Sequence, residues 1–196
     1  MLGILSKRGH SPVRGLKEAD VVIVNTCAVK GTTYRKMLKR LQELNRVGKP
    51  VIVTGCLPMI DFNSTRKAGS FAAVLSCRSL TQIGDIVERV RDGETGIELL
   101  DGEKVEKPCF PKLRSSAVSA IVQIGEGCLS ACTFCSVKLA RGGLRSFKPE
   151  NIVSEVKAAI RAGHREILLT SQDTAAYGRD ISSSLPELIH SLTTLE

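Results

Sequence analysis

Three cysteines within eight residues, Cys128, Cys132 and Cys135 in the loop GEGCLSACTFCSVKLARGGLRS, constrain this chain more than any other feature. The spacing is C-x3-C-x2-C. Three thiolates this close can hold three irons of a [4Fe–4S] cube. Cluster cysteines ordinarily number four, so such a loop leaves one iron with an open position, the mark of a reactive metal site rather than a closed one. Zinc, or three unrelated thiols, is the competing reading. Zinc loops usually carry C-x2–4-C pairs completed by a second pair or by histidines, and His10, His164 and His190 all lie outside this loop.

The chain has 196 residues, enough for one large or two modest domains, and its 42% hydrophobic content supports a real core. No segment is long and apolar enough for a signal peptide or a membrane span. Seven cysteines without a secretion signal point to a reducing compartment and to metal rather than disulfides, so a cytoplasmic protein is expected. The formal charge of +8 is unevenly placed. Residues 1–50 hold 11 Lys/Arg against 3 Asp/Glu, and the remainder holds 17 of each sign. A basic face of this kind either attracts a phosphate backbone or is simply solvated.

Three β-branched or apolar runs, VVIVNTC (21–27), VIVTGC (51–56) and FAAVLSC (71–77), read as buried parallel strands. Between the first two lies a helix with Thr32 or Thr33 as N-cap and Gly48 as stop, its stripe formed by Tyr34, Met37, Leu38, Leu41, Leu44 and Val47. After the third, Ser79 is expected to cap a helix carrying Ile83, Ile86, Val87 and Val90. Strand–helix alternation of this kind predicts a doubly wound α/β layer. Residues 93–115 read as a charged, Gly- and Pro-interrupted linker with a short strand at 97–100. A second β-α-β-α unit follows: AVSAIVQIG (117–125), a helix opened by Pro149, EILLT (166–170), the loop SQDTAAYG (171–178), and a helix with Leu185, Leu188, Ile189, Leu192 and Leu195. Ligands of open α/β sheets bind beyond the carboxyl ends of strands. Cys27, Cys56 and Cys77 each follow a predicted strand, so they should share one rim and could form a second metal site; each alone could equally be a small buried hydrophobe.

NTCAVKGTTYRKM (25–37), GKPVIVTGCLPM (48–59), the cysteine loop with ARGGLRS (140–146), and LLTSQDTAAYG (168–178) together resemble the radical S-adenosylmethionine (SAM) methylthiotransferases. The resemblance extends from about residue 18 and is closest to the branch that modifies N6-threonylcarbamoyladenosine in tRNA. It implies a flavodoxin-like N-terminal domain (1–98), a linker (99–113) and the first part of a radical SAM (β/α) partial barrel (114–196), with the family pattern cut short at both ends. By the same resemblance, Cys128, Cys132 and Cys135 hold the SAM-binding [4Fe–4S] cluster. Cys27 and Cys56 match two of the three cysteines of an auxiliary cluster, and no cysteine precedes Cys27 to match the first.

The implied reaction is reductive cleavage of SAM to a 5′-deoxyadenosyl radical, hydrogen abstraction from adenine C2, and delivery of sulfur and methyl. Its partners would be tRNA and an electron-donor protein. Phe134 would shape the cluster loop, Gln172, Asp173 and Thr174 would contact SAM or substrate, and Arg141 and Arg145 would pair with the SAM carboxylate or an RNA phosphate. The alternatives for these six are, respectively, a core aromatic, an Asx-type turn and a solvated ion pair. Two other functions compete: methylthiolation of a ribosomal protein, and a catalytically inactive cluster- or RNA-binding fragment.

Overall fold

The computed structural model describes residues 1–103 and 105–195. The chain divides into two compact units, Met1–Val105 with Phe134–Ala140, and Glu106–Thr133 with Arg141–Glu196.

The first unit is a four-stranded parallel sheet in the order β1-β2-β3-β4, with β1 Val22–Thr26, β2 Val51–Gly55, β3 Ala73–Leu75 and β4 Ile97–Leu99. Helices cover both faces, because β2 is buried along its whole length and presents apolar side chains alternately to each side. Helix α1 (Leu2–Lys7) and α5 (Ile83–Arg91) pack on one face through Leu5, Ile83, Ile86, Val87 and Val90 against Ile52, Ala73 and Leu75. On the other face lie α2 (Gly31–Leu44), α3 (Leu57–Ile60) and α4 (Phe62–Lys67), with Leu41, Leu44 and Leu57 against Val51 and Val53. The expected doubly wound α/β layer is therefore present.

Local details differ from the sequence reading. Helix α2 begins at Gly31 after Lys30 and has no side-chain cap, so neither Thr32 nor Thr33 is the N-cap; both lie inside the first turn. It ends at Leu44, four residues before Gly48, and Val47 is exposed. Ser79 does not cap α5, which begins at Ile83. Its buried hydroxyl instead donates to the Leu99 carbonyl and shares a hydrogen bond with Ser76 Oγ, both at 2.9 Å, fastening β4 to the end of β3.

In the second unit, β5 (Ser119–Gln123) pairs in parallel with β8 (Glu166–Thr170), and α7 (Pro149–Arg161) forms the crossover. Val122, Ile124, Phe147, Ile152, Val156, Tyr177 and Leu188 make its core, the last from α8 (Leu185–Thr193). Between β5 and α7 in sequence come two short strands of this unit, β6 (Gly125–Glu126) and β7 (Arg145–Ser146), whereas α6 (Val137–Arg141), which lies between them in sequence, belongs to the first unit as far as Ala140. Strands β6 and β7 pair antiparallel.

Asp61 is a local fastener of the first unit. Its carboxylate caps α4 by accepting from the Ser64 amide at 2.8 Å and accepts from the Tyr34 hydroxyl at 2.6 Å. The Tyr34 bond, then the Ser64 amide, hold its pKa below the usual carboxylate value. Asp61→Ala should cost about 1–2 kcal/mol of unfolding free energy at neutral pH. A depressed folded pKa means that this contribution is complete above the ordinary carboxylate pKa and is lost as pH falls through the lowered folded one. Urea unfolding should therefore show the gap between wild type and variant closing only in that acid range.

Candidate functional site

Strand β5 delivers the chain to the cysteine loop, and the antiparallel bridge of β6 with β7 closes its base by pairing Gly125 with Ser146 and Glu126 with Arg145. Residues 127–144 form the excursion between them. Gly127 sits at φ +79°, and a Cβ there would lie 2.1 Å from the Gly143 carbonyl oxygen. The tight approach at this glycine is thus between the two arms of the loop. The Gly127 amide donates to Gln172 Oε1 at 2.8 Å, so Gln172 holds the loop entrance. On the exit arm, the Ser146 amide donates to Asp180 Oδ2 at 2.9 Å, and Ser146 Oγ accepts from the Gly178 amide at 2.8 Å.

Glu126 is the electrostatic centre of this base. Its side chain is only 9% exposed, and its carboxylate meets Lys107 Nζ at 2.7 Å, an Arg141 guanidinium nitrogen at 2.5 Å and one of Arg145 at 3.8 Å. Burial by itself would raise the carboxyl pKa, but Lys107 and then Arg141 outweigh it and hold Glu126 ionised below its ordinary value. Arg145 also lies over the ring of the fully buried Phe147, 5.1 Å from its centroid. Arg141 and Arg145, read from sequence as partners of a SAM carboxylate or RNA phosphate or as a solvated pair, here share a nearly buried carboxylate. Sequence reasoning passed over Glu126 and Lys107. The available signal was a carboxylate flanked by glycines immediately before the first cysteine, with two arginines closing the same loop.

The other expected residues follow β8. The Asp173 amide donates to Ser171 Oγ at 3.1 Å, and Thr174 opens a 3-10 turn, Thr174–Ala176. Beyond it, the Tyr177 hydroxyl donates to the Phe147 carbonyl at 2.9 Å, and burial, then the nearby Glu150, Asp180 and Glu106, push its pKa up to about 12. Gln172, Asp173 and Thr174 therefore sit just past the carboxyl end of a parallel strand, where ligands of such sheets bind.

Cys128 and Cys135 are partly buried and Cys132 is exposed, all as free thiols. Phe134 is 91% exposed and is not a core aromatic. Among the described residues, no three His, Cys, Asp or Glu side chains are placed together as a metal-holding set. The donor chemistry nonetheless fits an iron–sulfur group: three free soft thiols on one glycine-hinged loop. In the first unit, Cys27 and Cys56 follow the neighbouring ends of β1 and β2, and the Cys56 amide donates to the Thr26 carbonyl at 3.0 Å. Gly55, at φ +103°, permits that approach, since a Cβ would fall 2.3 Å from the Thr26 oxygen. Cys27 is exposed and Cys56 buried. Cys77 follows β3, and its thiol donates to the Ala140 carbonyl at 3.3 Å.

Removing Glu126 would strand Lys107 and Arg141, which are 13% and 24% exposed, beside one another without their shared anion. Glu126→Ala should destabilise the chain by about 3 kcal/mol, measured by chemical unfolding. A change within 0.5 kcal/mol, the span ordinary for a surface substitution, would contradict the buried-hub description.

Two family profiles match the chain: uncharacterized protein family UPF0004 over residues 1–76, and the radical SAM superfamily over residues 122–191. Relatives include a probable threonylcarbamoyladenosine tRNA methylthiotransferase of Pyrococcus horikoshii, 42% identical over 100% of this chain and 46% of its own length. The threonylcarbamoyladenosine tRNA methylthiotransferase of Drosophila melanogaster is 36% identical over 98% of this chain and 36% of its own length. The chain thus spans less than half the length of these curated relatives. Among solved structures, the radical SAM methyltransferase TsrM from Kitasatospora setae, with tryptophan and a SAM analogue bound, superimposes with a TM-score of 0.55 at 10% identity. That match covers 87% of this chain and 39% of TsrM and supports the fold alone. The two profiles lie in series along the chain, and over 98–100% of its own length the chain is similar to threonylcarbamoyladenosine tRNA methylthiotransferases.

Proposed function

We propose that this chain supplies the cluster-bearing part of a methylthiotransferase that places a methylthio group at adenine C2 of N6-threonylcarbamoyladenosine in tRNA. The carrying observation is the C-x3-C-x2-C loop on a base clamped by Glu126, in a chain whose aligned relatives bear that name. Cys128, Cys132 and Cys135 would hold a [4Fe–4S] cluster with one open position for SAM. When bound, the cluster supplies the electron that cleaves SAM; the difficult chemistry belongs to the cofactors.

The chain's own residues do the placing. Gln172 fixes the entrance arm of the loop at Gly127, and Glu126 fixes the exit arm through Arg141 and Arg145. Asp173 and Thr174 line the strand-end rim as contacts for SAM or substrate, and Phe134, on the cysteine loop, would shape that loop. Cys27 and Cys56 would give two ligands of an auxiliary cluster. The partners are tRNA and a reducing protein, and the compartment is the cytoplasm. Among the described residues no helix is long and apolar enough to cross a membrane.

Anaerobic iron, sulfide and zinc analysis tests the assignment. The wild-type chain should bind iron and acid-labile sulfide in equal amounts, about four of each per SAM cluster. Cys128→Ala/Cys132→Ala/Cys135→Ala should lose that complement, and iron remaining in the variant would assign a second cluster to the first unit. Zinc without sulfide in the wild type would overturn the proposal.

A further inference from the structure

The excess charge of the chain has a specific address. Helix α2 carries Arg35, Lys36, Lys39 and Arg40, all exposed. At about 100° per residue they fall in an arc of about 140°, along about 8 Å of helix axis. The opposite arc holds Tyr34, Met37, Leu38, Leu41 and Leu44, which pack into the core. Glu43 is the one acid on the basic face, bound to Arg40 at 3.3 Å. Among the described residues, Arg35, Lys36 and Lys39 have no carboxylate within salt-bridge reach, whereas other arginines of the same unit pair with one: Arg8 with Asp85, Arg66 with Glu98 and Arg89 with Glu94.

Helix stability does not account for these cations. The macrodipole favours acids in the first turn and bases in the last, and α2 has neither. Its cations sit mid-helix, where the dipole gives no benefit and like charges at i,i+4 repel. Nor does the face suit a membrane surface, which takes up an apolar stripe beside the cations; here that stripe is spent in the core, with Leu41 and Leu44 0% and 3% exposed.

We propose that the outer face of α2 is a docking surface for the phosphodiester backbone of RNA, reading charge and not sequence. It rests on the tRNA-modifying reading above and names the part of the first unit that would hold that substrate. Thr32, exposed in the first turn of the helix, adds a hydroxyl donor beside the cations.

Fluorescence anisotropy with a labelled, unmodified tRNA transcript between 50 and 300 mM KCl (concentrations about those over which phosphate contacts change affinity most steeply) tests the surface. Compared with wild type, Arg35→Gln/Lys36→Gln/Lys39→Gln/Arg40→Gln should weaken binding about 10- to 100-fold and flatten the log–log salt slope by about 2–4. Lys36→Arg/Lys39→Arg should bind as wild type does. Lys157→Gln/Arg161→Gln, on the exposed side of α7, should also leave the slope unchanged, and thermal unfolding verifies that every variant is folded. Wild-type affinity and slope in the quadruple variant would overturn the surface, as would an equal loss in the α7 variant or no tRNA binding by wild type. Dependence on the α2 cations for phosphatidylserine vesicles but not for tRNA would overturn it too. Iron and sulfide content of the same preparations separates the two claims: a full cluster with no effect of the α2 substitutions sinks the surface alone.

Discussion

The carboxylate of Glu126 is the constraint around which the cysteine loop is organised. An ionised acid at 9% exposure is tolerated only when its desolvation is offset by close cations and hydrogen bonds. Lys107 comes from the turn before β5, Arg141 from the end of α6 and Arg145 from β7. One anion thereby fixes three separate pieces of backbone. A hydrophobic substitute would fill the space but would not specify which three segments meet. The same interaction gives an 18-residue excursion, residues 127–144, a defined base.

The first unit solves a different problem with ordinary parallel-sheet physics. Strands β1 and β2 are in register from Val22 opposite Val51 to Thr26 opposite Gly55, so whatever follows them emerges side by side. That is why Cys27 and Cys56, 29 residues apart in sequence, leave adjacent strand ends. Helix α2, which joins the two strands, divides its surface cleanly: its apolar arc closes the sheet, and its cations stay exposed. Core formation and charge presentation are thus assigned to different sides of one helix.

Much of this architecture is legible in the residues. The β-branched runs located β1 and β2 to within a residue or two at each end, and the 3.6-residue stripes located α2, α5 and α7, because burial on a sheet demands that periodicity. The caps were less legible. Thr32 and Ser79 have the right chemistry for N-caps, yet α2 starts one residue before Thr32 and Ser79 is used to tie β3 to β4; a hydroxyl's local preference yields to whichever buried carbonyl needs a donor. The Glu126 hub was invisible for a stronger reason. Its members lie at positions 107, 126, 141 and 145, and no local period links them. The β6–β7 bridge that brings them together is two residues long, too short to leave a hydropathy pattern.

Under the proposed function, Cys128, Cys132 and Cys135 hold an iron–sulfur cluster with one open coordination position. EPR of the anaerobically reconstituted, dithionite-reduced chain, recorded with and without SAM, tests it most directly. A reduced-cluster signal whose g-values shift on adding SAM is expected both in wild type and in Cys27→Ala/Cys56→Ala. A signal from the loop cluster that is indifferent to SAM would contradict it.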